Sequence, residues 1–305
     1  MDGAGFPVAT IWKKFPWPVA KTKVGGLRNT GGTLNVALVL VTVAAGFYLG
    51  GGGASAAPLL WHTLLATALV AGGTNALNQV YEADVDALMR RTRSRPIPSG
   101  RLSARAGSRF GWAVGVGGVL YMLLLVNRVA ALLAAATLVS YVFLYTPLKR
   151  RSPLALLVGA VPGALPVVGG WAAARGSLGP GAAILFALMF LWQLPHFLAL
   201  AWIYREDYTA AGLKMAARAD SAGRGTFRQA TLYAAALLSV ALLPAAVRMA
   251  GAGYALGAFA LSAWMVWAAA AAARHPSTAS ARRLFRVSLA YLPGILALLV
   301  VDKLP

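Results

Sequence analysis

The sequence predicts an all-α integral membrane protein in which nine transmembrane helices are bundled around a central cavity opening on the cytoplasmic or matrix side. Three observations predict the spanning helices and their orientation, and the acidic clusters below suggest the cavity. Hydrophobic residues make up 59% of the 305 residues and charged residues only 12%, with a mean hydropathy of +0.68, whereas a soluble domain usually carries about 25% charge. The apolar residues fall into nine stretches, each near the ~20 residues a helix needs to cross the hydrocarbon core. Basic residues sit almost entirely in alternate joints between those stretches.

The stretches are 33–50, 58–79, 104–125, 129–146, 153–174, 181–203, 229–248, 253–273 and 284–302. Gly51 to Gly53, Pro58, Pro147, Pro153, Pro180 and Pro276 punctuate the joints between them. Ahead of this nine-helix domain (33–305) lies a basic N-terminal segment, 1–32. It lacks the apolar core of a secretory signal and does not read as an amphipathic transit peptide.

Of the 28 Lys and Arg residues, 24 fall on the N-terminal side of the membrane and 4 on the other. Positive charge is retained on the cytoplasmic face, or on the matrix face in a mitochondrion, so the N-terminus is placed there. The net charge of +20 invites a nucleic-acid reading, but the basic residues lie in short loops between apolar runs, where topology explains them. No nucleic-acid partner is expected, and the lipid bilayer is. There is no cysteine, which excludes disulfides, thiolate-bound zinc and iron–sulfur clusters.

Orientation does not explain the acids, since Asp and Glu contribute little to topology. Of the eight, Glu82, Asp84, Asp86, Glu206 and Asp207 form two clusters on the basic side. At the end of the second stretch, Asn78, Glu82, Asp86 and Arg90 recur every four residues, which makes one stripe if the helix continues. Asp84 points roughly the other way. Two carboxylates and a carboxamide oxygen suit a hard cation such as Mg²⁺, which shares its remaining positions with water and phosphate. Arg91 and Arg95 follow directly, and arginine binds phosphate in bidentate fashion. The alternative is a salt-bridged helix end whose arginines only fix topology.

The second cluster, Glu206 and Asp207, ends the sixth stretch on the same side. It either holds a second cation across a shared mouth or is a solvated helix end. Lys149 and Arg150, in the loop after the fourth stretch, either close over a phosphate or fix topology. His196 lies within the sixth stretch beside Pro195, where an ionisable group is a metal ligand, proton carrier or substrate contact, or else a hydrogen-bonded interior histidine. His62 and His275 read as structural.

Four segments, 78–103, 145–171, 192–215 and 280–293, together resemble the protohaem IX farnesyltransferases (haem O synthases), a branch of the UbiA-type intramembrane prenyltransferases. The family's Asn-x3-Asp/Glu-x3-Asp motif falls on Asn78, Glu82 and Asp86, and its RTxxRP element on Arg91, Thr92, Arg95 and Pro96. Its His-Phe and Glu-Asp-Tyr elements fall on His196, Phe197, Glu206, Asp207 and Tyr208. Where the family enters its first span through a Lys-Pro-Arg-like element, this chain reads KTKVGGLRNTGGTLN, so contacts around Arg28 and Asn35 do not carry over by motif.

The resemblance implies transfer of farnesyl from farnesyl diphosphate to a vinyl group of haem B, with water addition, giving haem O for haem-copper oxidase assembly. Asn78, Glu82, Asp86 and Asp207 would act in catalysis. Together with Glu206 they would hold Mg²⁺. Arg91, Arg95, Lys149, Arg150 and Arg205 would hold the diphosphate. His196, Trp192 and Gln193 would contact haem. A downstream haem A synthase or oxidase assembly factors would be partners. Glutamate at 82 looks more like the eukaryotic members and favours the mitochondrial inner membrane over a bacterial plasma membrane. Two other readings fit part of the pattern: a prenyltransferase for another aromatic or tetrapyrrole acceptor, and a transporter relaying protons or ions through the acids and His196.

Overall fold

A computed structural model describes residues 31–214, 220 and 222–304, with the backbone alone for 31–35. Most of the basic N-terminal segment, including Arg28, lies outside the described residues, as does the side chain of Asn35. The described chain is helical: α1 Gly31–Leu49, α2 Ala57–Tyr81, α3 Ala83–Leu88, α4 Ala104–Leu125, α5 Arg128–Val139, α6 Ala155–Arg175, α7 Pro180–Ile203, α8 Arg205–Ala210, α9 Arg224–Ala241, α10 Leu243–Ala246, α11 Ala252–Arg274 and α12 Thr278–Val301. Among the described residues, eight helices are long and apolar enough to cross a membrane, so the chain is a multi-pass membrane protein. The apolar run of α1 is shorter, Val36–Leu49.

Two helices begin well before the apolar stretches that predict them. α9 starts at Arg224 and α12 at Thr278, against 229 and 284 in the sequence reading. Their first turns carry Arg224, Arg228, Arg282 and Arg283, so charge there marks the water boundary rather than the helix end. Ser277 and Ser280 close a reciprocal capping box on α12, which satisfies backbone N–H groups that would otherwise be orphaned.

Packing depends on close backbone approach. In lipid there is little hydrophobic drive between helices, so small residues at the interface allow van der Waals contact. A side chain at Gly73 of α2 would meet the backbone of Gly111 and Gly115 on α4. α1 and α6 meet in the same way, with Gly46 on the Val167 carbonyl and Gly170 on the Val43 carbonyl. A larger core joins α6, α7, α9, α11 and α12 around buried Leu188, Leu237, Tyr254 and Tyr291. α5 departs from α-helical geometry at Ser140–Tyr145, where a π-helical turn precedes the single turn Thr146–Leu148. Such turns occur often at functional sites, and this one leads into Lys149.

Candidate functional site

α2 ends at Tyr81 and Glu82 takes φ −108°, ψ 11°, a kink rather than a stop. The backbone bonds Glu82 N to Asn78 O (3.0 Å) and Asp86 N to Glu82 O (2.7 Å) carry the four-residue register through it. Asn78, Glu82 and Asp86 therefore share one line, with relative exposures of 8%, 7% and 1%. The stripe stops there. Met89 is extended, so Arg90 falls past the end of α3 and is exposed. The chain folds back instead: Thr92 Oγ1 donates to the Asp86 carbonyl (2.9 Å), and Arg95 donates to the Asp86 carboxylate at 2.6 Å.

Glu82 is matched in the same way. Its carboxylate accepts from Asn78 Nδ2 (2.9 Å) and pairs with Lys149 Nζ (2.9 Å). Asn78 Oδ1 accepts from Lys149 Nζ (3.4 Å) and lies 3.3 Å from Thr146 Oγ1, whose hydrogen goes to the Tyr141 carbonyl at 2.9 Å. The Lys149 ammonium lies 4.2 Å from the Tyr145 ring centroid, within cation–π range. Burial raises the Asp86 pKa above the ordinary carboxylate value, while Arg95 draws it back down. Desolvation disfavours the charged form, and an adjacent cation favours it.

Arg150 takes a different partner. It donates to both Asp84 oxygens (2.8 and 2.6 Å) and to the Tyr81 carbonyl (3.1 Å) at the surface. This bidentate hydrogen bond holds the Asp84 carboxyl below its usual value.

Residues flanking the second acidic cluster touch residues of the first. The Arg91 guanidinium lies 5.3 Å from the Tyr204 ring centroid, and Lys214 N donates to the Lys149 carbonyl (3.1 Å). Burial raises the pKa of Tyr208, and Arg91 and Lys149 oppose the rise. One tyrosine of the second cluster thus feels cations belonging to the first. Arg205 is turned toward the helix ends: it donates to the Trp202 carbonyl (3.0 Å) and Thr278 Oγ1 (3.4 Å) and lies over the Trp202 ring at 4.8 Å. Its contact with Glu206 is long, 3.5 Å, and the Glu206 side chain is 89% exposed. Asp207 is half-buried, and among the described residues no partner is recorded for its carboxylate.

Deeper in α7, seven residues before its end and about 10 Å along the helix, His196 stacks on Trp192 at 5.3 Å and lies 4.8 Å from the Phe285 ring. Its Nδ1 is 2.8 Å from Ser288 Oγ, and that hydroxyl donates to the Phe285 carbonyl at 2.7 Å. A serine has one hydrogen to give, so with that hydrogen on the Phe285 carbonyl a neutral His196 donates from Nδ1 and keeps its lone pair on Nε2. Trp192 and Gln193 are committed elsewhere. Trp192 Nε1 donates to the Ser288 carbonyl (2.8 Å), and Gln193 Nε2 donates to Met189 O (2.9 Å) and Ala160 O (3.3 Å). Ser288 had no assigned role in the sequence reading, although its segment did. Only its contact across α7 and α12 reveals it.

Among the described residues, no three His, Asp or Glu side chains group closely enough to hold a metal by themselves. Asn78, Glu82, Asp86 and Asp207 nonetheless offer only oxygen donors. That chemistry fits a hard cation completed by diphosphate oxygens.

The comparisons with known proteins agree on the family. Residues 39–292 match the model of the UbiA prenyltransferase family. The chain belongs to that family. It is 42% identical to a protein of Solibacter usitatus named protoheme IX farnesyltransferase, over 80% of this chain and 84% of that one. A Salinibacter ruber protein of the same name is 41% identical over 87% and 94%. In fold, the UbiA member resembles a digeranylgeranylglyceryl phosphate synthase, with TM-score 0.72, 14% identity and coverage of 89% and 92%. A UbiA homologue of Archaeoglobus fulgidus bound to GPP and Mg²⁺ superposes with TM-score 0.56 at 16% identity, over 87% and 96%. The chain is a prenyltransferase.

Proposed function

We propose that this prenyltransferase moves a farnesyl group from farnesyl diphosphate to a vinyl group of haem B, with water addition, to give haem O. The observation that carries the reading is the convergence of two acidic helix ends and their cations at one mouth, with an unbonded imidazole nitrogen below it. The names of the relatives supply the acceptor, and the Mg²⁺ of the Archaeoglobus protein supports the cation.

Asn78, Glu82, Asp86 and Asp207 would hold Mg²⁺, and Glu206 would lie beside it at the rim. When bound, the cation neutralises charge developing on the diphosphate oxygens. Arg91, Arg95 and Lys149 stand within the same mouth and stabilise the departing pyrophosphate, which leaves with the electrons of the broken C–O bond. Arg150 and Arg205 reach it only by giving up their present partners. The vinyl carbon attacks the allylic cation. Water captures the resulting cation next to the porphyrin and releases a proton. The apolar bundle keeps bulk water away until then. The free Nε2 of His196 suits haem iron, with Trp192 stacked beside it and Gln193 locking α7 to α6.

In this reading α1 is a ninth span, 33–305 forms one domain, and the cavity opens on the basic side, which faces the cytoplasm or the matrix together with the N-terminus. Haem O passes to a haem A synthase or to oxidase assembly factors.

The test uses purified protein in detergent with haem B, farnesyl diphosphate and Mg²⁺, read by mass spectrometry of the porphyrin product. A mass increase of one farnesyl group plus one hydroxyl is expected. Failure with haem B, combined with prenylation of another aromatic acceptor, would replace the acceptor and leave the diphosphate chemistry standing.

A further inference from the structure

From Ala222 to Val301 the sequence contains no Asp or Glu but seven arginines. Six of them gather at one end of the bundle: Arg224 and Arg228 in the first turns of α9, Arg274 in the last turn of α11, and Arg282, Arg283 and Arg286 at the start of α12. This is the end that carries the candidate site, because Arg205 of α8 donates to Thr278 at the start of α12.

Four of these arginines rim two grooves. One groove, about 330 Å³, lies between α9 and α11, with Arg228 and Arg274 above Leu232, Ala270 and Ala273. The other, about 320 Å³, lies between α11 and α12, with Arg283 and Arg286 beside Trp264 and Trp267. Trp264/Trp267 and Ala270/Arg274 lie on neighbouring sides of α11 at 100° per residue, so the grooves flank a single helix. Leu232, Trp264 and Trp267 face outward and are exposed. The Arg283 guanidinium lies 5.8 Å from the Trp267 ring centroid.

Charge decides what fits. The four ion pairs recorded among the described residues all involve residues 82–95, 149–150 or 205–206. None reaches these four arginines, and their stretch of chain has no acid to offer. Topology alone requires positive charge on this side. It does not require paired arginines over apolar floors edged by tryptophan, the residue that favours the lipid headgroup level. Nucleic acid fits poorly, because the floors are apolar and face outward.

We propose that the grooves flanking α11 bind an anionic phospholipid of the basic-side leaflet. Arg228 and Arg274 hold a phosphate in one groove, Arg283 and Arg286 hold one in the other, and acyl chains lie along the apolar floors. Basic pockets between spanning helices on this side of a membrane suit anionic headgroups.

The experiment is native mass spectrometry of the full-length protein, delipidated in detergent and then mixed with phosphatidylglycerol, phosphatidylcholine or inorganic phosphate. Phosphatidylglycerol adducts should exceed phosphatidylcholine adducts at least tenfold. Arg274→Gln and Arg283→Gln, one in each groove, should each weaken phosphatidylglycerol binding about fivefold, and the Arg→Lys versions should lose less. The single variants leave the topology bias and the candidate site intact, so each is expected to fold. Equal binding of the two lipids overturns the proposal, as does unchanged phosphatidylglycerol binding in both Gln variants. Displacement of the lipid by millimolar inorganic phosphate would assign the grooves to a free anion and also overturn it.

Discussion

The two acidic segments follow α2 and α7, yet the chain treats them differently. Glu82 and Asp86 are buried, and each faces a cation of its own chain, Lys149 and Arg95. Asp207 is half-buried with no partner among the described residues, and Glu206 is exposed. A buried charge must be paired, so the first segment is held in place by its counter-ions. The second has no such constraint. In the proposed function it offers one carboxylate to a cation brought in from outside. The first segment thus provides position and the second provides unbalanced charge.

The largest effect expected from this contrast is at Asp86. Asp86→Asn should reduce turnover on the order of 10²–10³-fold while the protein stays folded. Its stability should move the other way. Burial raises the pKa of Asp86, so its contribution to folding is fully present at acid pH and is lost as pH rises through the folded-state value. In EDTA at neutral pH the variant should therefore melt no lower than the parent. A clear drop in Tm would mean that the Arg95 pair outweighs desolvation, and the first segment would then be structural.

Asp207→Asn comes next. A comparable loss of turnover is expected, with a raised Mg²⁺ requirement and no change in Tm, because no partner among the described residues loses a bond. Lys149→Met should behave in the opposite way: Glu82 is left buried without its cation, at a cost of about 3 kcal/mol, visible in denaturation before any assay. If Lys149→Met is silent in stability and Asp207→Asn is not, the contrast between the segments is reversed.

Ser288→Ala should act at a smaller scale and on one ligand only. Without the Ser288 hydroxyl, His196 is free to change tautomer, so the Soret band of bound haem should shift and haem binding weaken several-fold. Farnesyl diphosphate binding should stay the same, and Ser288→Thr should restore the parent spectrum. An unchanged spectrum would remove His196 from the haem.

Much of this was legible in the sequence. The apolar stretches gave the helices because hydropathy records burial in lipid directly. The four-residue recurrence of Asn78, Glu82 and Asp86 survived the kink at Glu82 because the backbone bonds span it. The pairing was not legible. Arg150 takes Asp84, Arg95 takes Asp86 and Lys149 takes Glu82, and nothing in their spacing separates these choices. They depend on how the loop after α3 folds back through Thr92 and on the π-helical turn that aims Lys149. Ser288 was hidden for the same reason, since its contact with His196 crosses 92 residues of chain.

The smallest effect is expected at Glu206, and it separates proximity in sequence from participation. Glu206 sits beside Asp207 and shares its charge, so the sequence gives the two equal standing as metal ligands. The structure gives Glu206 a long contact with Arg205 and an exposed side chain. An exposed pair of this kind is worth at most about 1 kcal/mol, and its removal redirects no helix end. Glu206→Gln should leave turnover and the Mg²⁺ requirement within about twofold of the parent. A loss matching that of Asp207→Asn would show that Glu206 turns inward when diphosphate binds. The second segment would then supply two carboxylates to the cation, and its exposure without ligand would be the open state of the mouth.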